Sequence, residues 1–308
     1  MARTHMSLGR ATLIPLAACA LALGGAVGVA AQSPDASGAP ATIGPECAKD
    51  QLPLKTPGTL TISTDNPSYN PWWSGTPPED SEWYAEFAGY PPSGLGYEGG
   101  IAMAIATTLG FTPDEITWIP NTVFENAFAP GEKPFDYHLA QISITPERAE
   151  AVDFSDPYLD SNQSLVALAG TPITEATTVE GLRDFKLGAA TATTSLSFIE
   201  DVIQPRVEVS APADNATLVQ LLQNGQIDGL VADIGSAIYM RDVQLSGAEL
   251  VGKFDATQQT DHVGMVLQKD SPLTACVNQA MAVIHANGTV QALYDEWLGG
   301  GEAILTFE

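Results

Sequence analysis

Between residues 59 and 64 polar and apolar side chains alternate (TLTIST), the period of a half-buried strand. The period then changes: Ile101, Ile105 and Leu109 recur at four-residue spacing on one helical face, and Gly110 stands where a helix C-cap belongs. The same alternation continues along the chain. Runs at 115–119, 135–143, 164–169, 185–190, 227–233 and 263–267 predict strands. Runs at 216–223, closed by Gly225, and 273–286, with Leu273, Val277, Met281 and Ile284 on one stripe, predict helices. Strands alternating with helices predict an α/β fold whose mainly parallel sheets are covered by helices. There is no internal repeat. Residues 74–96 break the rhythm, being rich in Pro, Gly, aromatic and acidic residues and too long for an ordinary connection. That stretch reads as a surface insertion, with a lid over a site as the alternative.

Composition narrows the function classes. At 308 residues with 44% hydrophobic positions the chain can fill the cores of two domains, or of one domain behind a leader. Its 37 acidic against 12 basic residues give a net charge of -25, which leaves no basic surface for nucleic acid and repels anionic lipid headgroups. The excess reads as solubility or salt adaptation and names no substrate.

The N-terminus carries Arg3, His5 and Arg10 and then a nearly uncharged apolar run from 11 to 31, the order of a secretory signal. Pro15, Gly24, Gly25 and Gly28 weaken that run as a membrane anchor. The expected organisation is a signal peptide at 1–31 and a flexible tether at 32–55. Cleavage after Val29, Ala30 and Ala31 is the expected processing. A second route uses Leu16 to Cys19 (LAAC), which resembles a lipobox and would make Cys19 a lipid anchor. Export exposes Cys47 and Cys276 to an oxidising compartment, so they are expected to form one disulfide pinning the tether to a C-terminal helix; two buried free thiols are the alternative.

Chemistry concentrates in residues 136–148 (DYHLAQISITPER) and 152–158 (VDFSDPY). Thr145 followed by Pro146 reads as an N-cap with proline at the first helical position, which puts Arg148 in the first turn. A cation there opposes the helix dipole and suggests a nearby anion, which a guanidinium grips with two parallel hydrogen bonds. An exposed arginine without a role fits the local pattern equally well. His138, His262 and His285 lie apart without metal-ligand spacing, and no phosphate loop, zinc pattern or Ser-His-Asp arrangement occurs, so no metal or cofactor is expected.

Residues 136–158 resemble the signature of the periplasmic amino-acid-binding proteins of polar-amino-acid ABC transporters. Further matching segments are 63–71 (STDNPSYNP), 108–111, 228–233 (DGLVAD) and 287–299, so that the resemblance covers roughly 57–299. It implies a periplasmic-binding-protein-like α/β fold, with two lobes joined by two crossing strands and a ligand cleft between them. Lobe 1 would comprise 56–165 and 259–308, and lobe 2 would comprise 166–258.

The resemblance also implies the site. The ligand carboxylate falls on Arg148 and on backbone N–H groups near Thr193 and Thr194; Ala192 stands in that turn where a glycine is common. The ligand ammonium falls on Asp233, Ser143 and the carbonyl of Gln141, whose side chain is longer than the small residue common there and reaches toward the ligand. Cap duty on the following helix is the competing reading of Asp233. Tyr69 and Phe124 match aromatic positions above and below the ligand side chain, with core packing as the alternative and Trp72 as a neighbouring candidate. Asp65 matches the position that receives the ligand's far end and favours a basic or neutral polar side chain over an acidic one. The implied function is hinge closure on a free amino acid and its delivery, by an exported monomer, to a membrane permease. A dehydratase acting on prephenate-like acids and an amino-acid sensor share the architecture and remain rivals; neither a carboxylate pair nor a further domain favours them.

Overall fold

The structure, a computed structural model, describes residues 41–84, 89–299 and 304–307, all within the unit Ala39–Glu308. The signal segment, Cys19 and the first part of the tether lie outside the described residues. Among the described residues, no helix is long and apolar enough to cross a membrane.

In chain order the first elements are β1 (Leu60–Asp65), α1 (Tyr97–Thr108), β2 (Ile116–Asn121), β3 (Tyr137–His138), α2 (Pro146–Ala151), β4 (Val152–Phe154), β5 (Leu159–Ser161) and β6 (Gln163–Leu168). The middle of the chain supplies β7 (Leu187–Gly188), α3 (Thr194–Phe198), α4 (Asn215–Gln223), β8 (Gly229–Asp233), α5 (Ile234–Tyr239) and β9 (Ala248–Phe254). Last come β10 (Asp261–Val263), β11 (Val266–Gln268), α6 (Thr274–Ala286), α7 (Thr289–Trp297) and β12 (Thr306–Phe307).

Two five-stranded sheets result, ordered β2-β1-β3-β11-β4 and β12-β9-β6-β8-β7, and the antiparallel pair β5/β10 joins them. This is the two-lobed periplasmic-binding-protein architecture. In the first lobe Ile101 and Ile105 of α1 and Val277, Met281 and Ile284 of α6 share one fully buried core with Leu60 and Ile62 of β1. Burying each such side chain contributes about 1.5–3 kcal/mol. In the second lobe Phe254 packs against Phe198 and Phe307 at centroid distances of 4.6 and 4.8 Å. Cys47 and Cys276 form the expected disulfide, with Cα atoms 5.3 Å apart.

Several expectations are corrected. The sheets are mixed rather than mainly parallel: β11 runs antiparallel to β3 and β4, and β6 runs antiparallel to β8 and β9. A hydrophobic run carries no record of its direction. The strand predicted at 135–143 shortens to Tyr137–His138, because the backbone turns to φ +51° at Gln141. The run at 263–267 splits into β10 and β11 around Gly264, where a Cβ would lie 2.9 Å from Ile144 and 3.1 Å from the Ser155 carbonyl.

The lobe limits also move. The boundary placed at 165/166 falls inside β6, and the assignment of all of 259–308 to lobe 1 does not hold for β12, which pairs with β9 in the second sheet and buries Phe307 there. The described part of the tether is packed rather than flexible. Cys47 and Leu52 are buried, and Gly44 N donates to Gln279 Oε1 at 2.8 Å. The described part of 74–96 does not lie loosely on the surface either: Trp83 is buried, Asn66 Nδ2 donates to the Glu82 carbonyl at 2.8 Å, and Tyr84 N donates to Asn66 Oδ1 at 3.0 Å.

Candidate functional site

A cavity of about 620 Å³ lies between the lobes. Its first wall is set by the cap that the sequence predicts. Thr145 Oγ1 accepts from Arg148 N at 3.2 Å, Pro146 opens α2, and Arg148 turns inward. Its guanidinium donates from Nη1 to the Ser143 carbonyl (2.7 Å) and from Nη2 to the Ala192 carbonyl of the other lobe (2.8 Å). The cation sits over the rings of Phe128 and Phe124, at 4.4 and 5.7 Å from the centroids. Burial lowers its pKa to about 10 against the pull of Asp261 and Glu147, so it remains charged at neutral pH. Two of its five N–H donors are engaged by these carbonyls; the others are available to an anion.

The opposite wall comes from lobe 2. Thr193 caps α3, accepting from Leu196 N at 3.2 Å and donating to the Ala190 carbonyl at 2.7 Å. Ala192 just before it holds φ +58°, the left-handed conformation that a glycine would take without strain. Thr194 Oγ1 donates to Asp261 Oδ2 at 2.6 Å and lies 3.3 Å from Ser143 Oγ across the cleft. Asp233 ends β8 and caps α5, its Oδ1 accepting from Ser236 N at 3.0 Å. Cap duty and a place on the cavity wall therefore coexist, and burial raises the Asp233 pKa because charge is costly there.

Tyr69 closes a third side. Its ring stacks on Tyr239 of lobe 2 at 5.0 Å, while its hydroxyl meets Gln141 Oε1 and Ser236 Oγ, each at 3.2 Å. Phe124 packs edge-on against Phe128 at 5.2 Å and so serves the core as well as the wall. Asp65 accepts from Asn121 Nδ2 at 2.8 Å. His138 Nε2 lies 3.7 Å from Asp65, but burial holds that imidazole at a pKa of about 3, so it is neutral and offsets no charge. Desolvation raises Asp65 to about 7.

The nine residues that the resemblance assigns to the ligand line this one cavity, Asp65, Tyr69, Phe124, Gln141, Ser143, Arg148, Thr193, Thr194 and Asp233, and so does the neighbouring candidate Trp72. Arg148 is the only cation among the lining residues, against five carboxylates, Asp65, Glu125, Asp214, Asp233 and Asp261. Sequence reasoning missed Asp261, which accepts from Gln163, Gln259 and Thr194 at 2.7, 2.8 and 2.6 Å and ties the hinge to the second lobe. It also missed Ser236, Tyr239 and Glu98. An acid in the first turn of a helix, as Glu98 is, reads as an ordinary complement to the dipole, and nothing in the sequence signals otherwise. Among the described residues no group of three or more His, Cys, Asp or Glu is arranged to hold a metal.

A family model described as bacterial extracellular solute-binding proteins, family 3, matches residues 86–300. The chain is 30% identical over 166 residues to the putative ABC transporter arginine-binding protein 2 of Escherichia coli (strain K12), a match covering 52% of this chain and 64% of that protein. It is 29% identical over 168 residues to the L-cystine-binding protein TcyJ of the same strain, covering 54% and 61%. Each match spans about three-fifths of the relative's length. Among solved structures, an ancestral arginine-binding protein bound to arginine superposes with a TM-score of 0.61 at 26% identity, covering 79% of this chain and 99% of that one.

Proposed function

Because this chain belongs to family 3 of the bacterial extracellular solute-binding proteins, we propose that it captures a free amino acid, polar or basic in its side chain, and delivers it to the membrane permease of an ABC importer. The observation that carries this reading is that Arg148 and Asp233 line one cavity from opposite lobes. Arg148, with backbone N–H groups near Thr193 and Thr194, takes the ligand carboxylate; Asp233, Ser143 and the Gln141 carbonyl take the ammonium. An ammonium has three donors, and three acceptors converge on it. One zwitterion then bridges both lobes, so the ligand favours the closed form over the open one by the contacts that only the closed form makes. Five lining carboxylates against one cation favour a basic or neutral side chain over an acidic one.

The protein acts as a monomeric carrier without catalysis. The apolar N-terminal segment exports it and is removed after residue 31; lipidation of Cys19 is the alternative processing, and the mass of the exported protein decides between them. A thermal-shift panel of the amino acids tests the binding function. A ligand present at 100 times its Kd stabilises by about 2.7 kcal/mol, a rise of roughly 5–10 °C for a protein of this size. A panel in which no amino acid raises the melting temperature overturns the reading.

A further inference from the structure

Behind the Tyr69 wall, outside the cavity lining, lies Glu98 in the first turn of α1, fully buried. Four donors converge on its carboxylate. Gln141 N donates to Oε1 at 2.7 Å, Trp73 Nε1 donates to Oε2 at 3.0 Å, and the Tyr158 hydroxyl and Gln141 Nε2 complete the set in short contacts. A carboxylate offers about four lone-pair sites, so this one is filled.

The consequence reaches the cleft through Gln141. Its amide has one orientation compatible with Glu98, because a flip would set its oxygen against a carboxylate oxygen. With Nε2 committed to Glu98, Oε1 faces Tyr69, and the Tyr69 hydroxyl donates its one proton to it. Tyr69 can then only accept from Ser236. Two neighbouring donors are directed away as well. Asn121 Nδ2 gives its two hydrogens to Asp65 Oδ1 and the Val123 carbonyl, both at 2.8 Å, and Ser68 Oγ donates to the Gly89 carbonyl at 3.2 Å. Thr64 Oγ1 and Trp72 Nε1 have no partner among the described residues but expose no surface to the cavity. Around Gln141 the wall therefore presents lone pairs, on Gln141 Oε1, Tyr69 Oη and Asp65.

We infer that Glu98 is a positioning residue that sets the polarity of the wall around Gln141 and Tyr69, making that part accept hydrogen bonds, so that a bound solute gains by presenting N–H or O–H donors to it along its side chain. The inference deepens the amino-acid reading and rests on it. It differs from a preference by charge, since it also discriminates between two neutral side chains that differ by one methyl group in size and of which only one carries hydrogen-bond donors.

The test uses such a pair at pH 8: L-glutamine, whose amide carries donors, and the 5-methyl ester of L-glutamate, whose side chain carries acceptors only. Calorimetry on the parent protein is expected to favour glutamine roughly tenfold, the range of one buried acceptor left without a donor. In Glu98→Gln the relay can reverse, and in Gln141→Ala the wall acceptor is gone; the ratio of the two Kd values is expected to fall to within about threefold in each. A loss of packing alone would weaken both probes together and leave the ratio unmoved. Should Glu98→Gln not fold, Gln141→Ala decides. An unchanged ratio with both probes still bound overturns the polarity assignment and leaves amino-acid binding standing. Failure of every amino acid and of the ester to bind the parent protein overturns both.

Discussion

Replacing Asp233 by asparagine separates the two duties of that side chain. Asparagine is nearly isosteric and as good an N-cap as aspartate, so the bond from Ser236 N to Oδ1, 3.0 Å in the parent, survives and α5 stays capped. Stability of the empty protein is expected within about 0.5 kcal/mol of the parent, and any change should be a gain, since burial already disfavours the charge there. Binding behaves differently. The ligand ammonium would enter a largely desolvated cleft without its counter-charge, which costs on the order of 2–5 kcal/mol, or roughly 30-fold to several-thousand-fold in Kd. Two measurements on one preparation give the answer: urea unfolding of the empty protein, and calorimetric titration with the amino acid that ranks first in the thermal-shift panel. A variant that binds within about threefold of the parent, with unchanged unfolding, would refute the assignment of Asp233 to the ammonium.

Three further outcomes follow from the same geometry. Arg148→Ala should abolish measurable binding and also destabilise the empty protein by roughly 1–3 kcal/mol, because the buried carbonyl of Ser143 loses its donor, whereas the carbonyl of the exposed Ala192 can turn to water; unfolding unchanged from the parent would contradict that. The disulfide closes a loop with a sequence separation of 229, for which chain entropy gives at most about 5 kcal/mol, so Cys47→Ser/Cys276→Ser should unfold at clearly lower denaturant, and an unmoved midpoint argues against the crosslink holding lobe 1. Glu98 is raised by burial from 4.5 to about 7, so the folded state holds its proton more tightly than the unfolded chain does. Its contribution is fully present below pH 4.5 and is lost as pH rises through 7. The stability of Glu98→Gln relative to the parent should therefore improve by up to about 3 kcal/mol between those limits, and a difference that stays flat with pH refutes the shift.

The local elements were legible because their causes are local. The period changes near β1 and α1, the Thr145-Pro146 start of α2 and the pairing of Cys47 with Cys276 each follow from neighbouring residues or from the compartment that the N-terminal pattern predicts. The residues of the cleft were legible too, but through the resemblance carried by 136–158, since an arginine in a first turn or an aspartate before a helix is ambiguous by itself. Other features belong to tertiary structure alone. The direction of β6 and β11, the return of β12 to the second sheet, and the joining of Gln141 to Glu98 depend on groups 43 or more residues apart meeting in a dry interior. There a carboxylate needs every lone pair satisfied and a strand needs a partner edge, and such requirements are met by whichever segment the fold delivers, which no local pattern records.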